Sequence, residues 1–140
     1  GEWTSHQFLE NLERTTAVAD YINKNIPKDG VKILMAGEIH RYYFERRTVR
    51  EKGFARQTRY WEIFKTPAEV VEFLKKQGIT HVLWARSIKG QGKYSPLRVN
   101  DLVRDPEISP QFFDLLYEGR SKNIRDEVYD YALYRIQVAG

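Results

Sequence analysis

Glu38, His40 and Arg41 stand within four residues of one another, directly after Gly37. A carboxylate and an imidazole can share acid–base work, and a guanidinium can clamp an anion. The preceding run Val31 to Ala36 (Val-Lys-Ile-Leu-Met-Ala) is apolar and bounded by Gly30 and Gly37, which predicts a buried strand. In open α/β sheets ligands collect beyond the carboxyl ends of strands, where a glycine permits close backbone approach. Tyr42, Tyr43, Arg46 and Arg47 extend this set and complete the candidate binding residues. A single glycine is a weak phosphate signal, and neither GxGxxG nor GxxxxGK[ST] occurs. A polar turn is the plain alternative.

Other chemistries find little footing. The three histidines are His6, His40 and His81. His40 follows the end of the first strand, and His81 begins a strand expected to run parallel to it, so the two fall at opposite sheet edges. A shared metal is not expected, and His81 reads as a buried strand histidine. GxSxG is absent, and Ser87 opens a Gly-rich stretch rather than a tight elbow. The apolar runs hold no acid for a metal-dependent nuclease, and Asp126, Glu127 and Asp130 lack the alternation of a calcium loop. With zero Cys, thiol catalysis, Cys-ligated zinc and disulfides are excluded. No catalytic residue, metal or cofactor is assigned.

Charge points to one segment. The 23 basic residues exceed the 19 acidic ones by 4. Arg41, Arg46, Arg47, Arg50, Lys52, Arg56 and Arg59 face only Glu45 and Glu51, giving 7 − 2 = +5 and leaving 4 − 5 = −1 elsewhere. Tyr42, Tyr43, Phe44, Phe54, Tyr60 and Trp61 are interleaved with these cations. Residues 41–61 could therefore form a self-contained nucleic-acid module, pairing phosphates and stacking bases. The cations could instead face anionic lipid, where each is worth roughly 1 kcal/mol. A solvated loop with arginines paired to the acidic first helix is the third alternative. Lipid is preferred over nucleic acid as a partner. On that reading, reversing the charge of Arg46 and Arg47 weakens vesicle binding and leaves stability nearly unchanged.

The elements that must position these residues are legible in part. Thr4 and Gln7 have capping-box spacing, and Phe8, Leu12, Thr15, Ala19, Ile22 and Ile26 draw one helical stripe that ends at Pro27. Thr48-Val49 is expected as an edge strand, the rest to Arg59 as loop, and Thr58 to Phe64 as one or two helical turns. Thr66, Pro67 and Glu69 start a helix carrying Val70, Phe73 and Leu74 on one face, and Gly78 ends it. Thr80 to Ala85 follows at once as a central strand. A helix feeding a strand with almost no loop implies parallel pairing. Ile88 to Tyr94 is expected as an exposed loop, and Pro96 to Val103 as helical. The chain closes with Phe112 to Glu118 and Tyr131 to Val138, joined by Arg120 to Asp130 as a long-looped antiparallel hairpin. The expected fold is α/β, a small mixed sheet, mostly parallel with a C-terminal antiparallel hairpin, flanked by helices, in one domain over residues 1–140.

Several segments carry a family resemblance. Gly78-Ile79-Thr80-His81-Val82-Leu83 after a helix resembles the soluble C-terminal domain of multi-pass GT-C-type glycosyltransferases. These are similar to dolichyl-phosphate-mannose protein mannosyltransferases and the lipid A aminoarabinose transferase. Tyr21-Ile22-Asn23 to Pro27-Lys28-Asp29 looks like that family's helix end. Val31 to Glu38 with Tyr42-Tyr43 resembles its first strand and following turn, and Ala132-Leu133-Tyr134-Arg135-Ile136 its last strand. The resemblance covers roughly residues 18–137. It implies an extracytoplasmic domain excised from a larger membrane protein, beside an upstream transmembrane bundle that transfers sugar from a polyprenyl-phosphate donor. The catalytic acids of such enzymes lie in the membrane part, so none is carried onto this chain. A third function class, a small enzyme using Glu38, His40 and Arg41, stays open beside the binding module.

Overall fold

The computed structural model describes residues 17–37, 46–87, 94–122 and 128–138. A helix whose described part is 17–25 (α1) precedes β1 (Lys32–Gly37), β2 (Arg47–Arg50), α2 (Glu51–Thr58), α3 (Tyr60–Ile63) and α4 (Pro67–Lys76). Then come β3 (His81–Ser87), α5 (Val99–Leu102), α6 (Ser109–Phe112), β4 (Phe113–Lys122) and β5 (Val128–Ile136). The strands form one five-stranded sheet in the order β2-β1-β3-β5-β4. β1 pairs parallel with β2 and with β3, while β5 pairs antiparallel with β3 and β4. The fold is α/β with a mixed sheet flanked by helices, as expected.

Alternation along the strands sends side chains to two faces. Ile33 and Met35 join Leu83 and Leu133 on one face, where Val18, Ala19, Ile22 and Ile26 of α1 and its end cover them. Leu34 and Ala36 join Val82, Trp84, Ala132 and Tyr134 on the other, beneath α2 to α5. Both faces of β1 and β3 are therefore buried, which is why these strands read as continuous apolar runs.

The start of α4 is held as its sequence suggests. Thr66 Oγ1 accepts the Glu69 N–H at 3.2 Å and donates to Glu69 Oε1 at 3.0 Å. The Glu69 carboxylate reaches the Lys65 N–H at 3.4 Å, one residue before the cap. Gly78 ends the helix with φ +81, a left-handed conformation that glycine adopts without a Cβ penalty. Val70 and Leu74 are fully buried, with Phe73 half-buried beside them. β1 and β3 are adjacent parallel strands, with Ile33 opposite His81 and Gly37 opposite Ala85.

Three expectations need correction. The stretch from Glu51 to Thr58, expected as loop because of its charge, is helix α2. Phe54 and Ala55 sit one turn from Glu51 and are buried with it, so an amphipathic face lies under the cations. The closing hairpin is longer in strand and shorter in connection than its polar residues suggested. Pairing runs out to Lys122 opposite Val128, and Arg120 faces Asp130 across the ladder with a 2.7 Å ion pair. Over Pro96 to Val103 only Val99–Leu102 is helical, after a turn at 96–98. Thr48-Val49 lies in β2, an edge strand as expected. Of the loop expected over Ile88 to Tyr94, all but Tyr94 lies outside the described residues, as do the Thr4–Gln7 cap and the Phe8, Leu12 and Thr15 part of the first stripe.

Candidate functional site

Of the seven candidate binding residues, Glu38, His40, Arg41, Tyr42 and Tyr43 lie outside the described residues. Arg46 and Arg47 are described, and they differ sharply. The Arg46 guanidinium folds back onto the carbonyl groups at the end of α1 and just beyond it. Its Nε donates to the Pro27 carbonyl at 2.9 Å, and Nη2 to those of Ile26 at 2.5 Å and Ile22 at 3.3 Å. A cation at that end also complements the helix dipole. Arg46 is therefore a helix clasp, and the expectation that its charge reversal leaves stability unchanged is corrected. Arg47 is exposed on edge strand β2.

The rest of the basic segment divides in the same way. Lys52 and Arg56 point outward from α2, and Arg59 pairs with Glu62 at 2.7 Å. The described aromatic residues of this segment, Phe54, Tyr60 and Trp61, turn inward wholly or in part. Phe54 and Tyr60 are buried, and Arg98 lies over the Trp61 ring at 4.1 Å from its centroid. Phe54 and Tyr60 offer no open ring face for a base, and Trp61 has one face occupied.

Beneath them is a buried polar network that sequence reasoning missed. Glu51, at the start of α2 just beyond the carboxyl end of β2, is only 3% exposed. Its Oε1 accepts the Tyr60 hydroxyl at 2.7 Å and meets Arg98 Nη2 at 3.4 Å. The Tyr60 oxygen accepts the Val99 N–H at 3.0 Å. Burial, followed by the neighbouring Glu51 charge, pushes the Tyr60 hydroxyl far above its usual range, so it stays protonated as a donor. This set ties α2 and α3 to α5. It binds structure to structure.

At the opposite, amino-terminal edge of the parallel strands lies His81, buried at 6% exposure as the sequence suggested. Thr80 Oγ1 is 2.7 Å from its Nδ1. Burial, with Arg135 nearby, pushes the imidazole down to about 4, so it is neutral at physiological pH. Among the described residues no group of three or more His, Asp or Glu side chains could hold a metal ion. No helix among them is long and apolar enough to cross a membrane. Set against known proteins, the chain matches no family model and no curated protein.

Proposed function

We propose that this chain is an extracytoplasmic domain of a membrane glycosyltransferase-like protein, with a binding or supporting role beside lipid-phosphate sugar transfer. One observation carries the reading. The segments bearing the resemblance are scattered from Tyr21 to Ile136 in sequence, yet they meet in one layered unit. The end of α1 packs on β1, β1 pairs with β3, and β3 pairs with β5. Ile22, Ile33, Leu83 and Leu133, each from a different quoted segment, share one buried cluster. Arg47, Lys52 and Arg56 stay at the surface, where an anionic headgroup or lipid phosphate could meet them. The role is to position a donor or acceptor, with the chemistry supplied by the upstream bundle.

The chain has no cysteine, which makes its location directly measurable. Lys76, exposed in the last turn of α4, can be replaced by cysteine in the full-length protein with any other cysteines removed. A membrane-impermeant maleimide applied to intact cells is expected to label Lys76→Cys before lysis, in a protein that resists carbonate extraction from membranes. Labelling only after lysis, or a protein released by carbonate, would contradict the reading.

A further inference from the structure

The groove at the amino-terminal edge of β1 and β3 encloses about 750 Å³. That size falls within the range of small-molecule sites. Its walls are largely apolar and include Ile26, Val31, Ile79, Leu116, Ile136 and Val138. The main cations on its lining are already matched. Lys75 pairs with Glu72 at 3.2 Å, and Arg135 with Asp114 at 2.8 Å, while Asp29 stands at the α1–β1 turn. Among the described residues lining it, a free anion would find both cations already paired and would face two carboxylates.

His81 lines the same groove. Thr80 Oγ1 accepts the Lys32 N–H at 3.0 Å and is placed to donate to the Lys32 carbonyl at 3.2 Å, which already receives the Thr80 N–H at 3.0 Å. Its 2.7 Å approach to His81 Nδ1 has the length usual for an O–H donor. We assign the hydroxyl proton to Nδ1, the nearer of its two acceptors, which puts the neutral ring's own proton on Nε2. Among the described residues Nε2 makes no hydrogen bond. The result is a fixed donor on a largely apolar wall.

We propose that this groove binds an uncharged, largely apolar small molecule bearing one acceptor oxygen, such as a ketone or ester, with His81 Nε2–H as its donor. The apolar walls take the body of the ligand, and the imidazole sets its orientation. This site is independent of the sugar-transfer reading, and neither stands or falls with the other.

Octan-2-one and octanoate are suitable probes of equal chain length, titrated into the 140-residue chain and followed by amide and imidazole NMR. Octan-2-one is expected to shift the Val31, Ile79 and Ile136 amides and the His81 Nε2 signal saturably, and to bind more tightly than octanoate. His81→Phe keeps a ring but removes the donor, and should weaken octan-2-one roughly five- to tenfold. Absence of saturable shifts, or octanoate binding as tightly as the ketone, would overturn the site. So would unchanged affinity in a folded His81→Phe variant. If that variant does not fold, the wild-type comparison of the two probes still decides.

Discussion

The two ends of the parallel strands handle buried polarity in opposite ways. At the carboxyl end, Glu51 is buried as a carboxylate that Tyr60 and Arg98 hold, and the chain is locked around it. At the amino end, His81 is buried as a neutral ring with one nitrogen committed to Thr80 and a groove beside it. A buried charge needs its partners inside the protein, because an uncompensated ion costs several kcal/mol. A neutral imidazole does not, so it can leave one donor for something else. The closed end therefore serves architecture, and the open end has spare capacity.

Four substitutions sharpen or break this contrast. Leu83→Ala lies in the shared core between the two ends and should cost about 2–5 kcal/mol of stability through transfer and cavity terms. Denaturant titration measures it, and a loss well under that range would mean the α1 face repacks. Tyr60→Phe keeps the ring but leaves the Glu51 oxygen and the Val99 N–H short of a partner. It should cost about 1–3 kcal/mol, and a neutral result would show that water enters the closed end. Arg46→Ala removes the donor to three carbonyls and should cost about 1–2 kcal/mol. Arg47→Ala, a residue away in the same basic run, should stay within about 0.5 kcal/mol. Equal effects would return Arg46 to the solvated surface.

The contrast also predicts a slope with pH. His81 is held at about 4 in the fold against an ordinary 6.5. Between those values the unfolded chain binds the proton and the folded chain does not, so stability falls as pH drops from 6.5 towards 4. Above 6.5 this contribution is constant, and below 4 it levels off. Asp114 and Asp105, whose carboxyls are held below the ordinary value by Arg135 and by Tyr94, add their own loss in more acid solution. Melting scans of the wild type and His81→Phe across this window should differ in slope. Parallel scans would mean that the ring is not held neutral.

What was legible in the sequence follows the range of the forces involved. The cap at Thr66, the stop at Gly78 and the apolar run after it act over a few residues, and α4 and β3 sit where they point. Helix α2 was hidden because its outward cations dominate the composition. Its inward face carries Phe54 and Ala55 together with the Glu51 carboxylate, whose Arg98 partner lies 47 residues further along the chain. Phe54, Ala55 and Thr58 at helical spacing from Glu51 were the available signal. Arg46 was read as a surface cation because its partners are backbone carbonyls of residues 22–27, which no side-chain pattern announces. The groove was equally invisible, since α1, α4 and β5 all contribute to its walls.

On the proposed reading, this domain supports sugar transfer without performing it. Transfer from a polyprenyl-phosphate-linked sugar, measured with the full-length protein in membranes and with the 140-residue chain alone, tests it most directly. Transfer is expected from the full-length protein and none from the chain. Turnover by the chain alone, abolished by Glu38→Gln, would contradict the account and make Glu38, His40 and Arg41 the active residues.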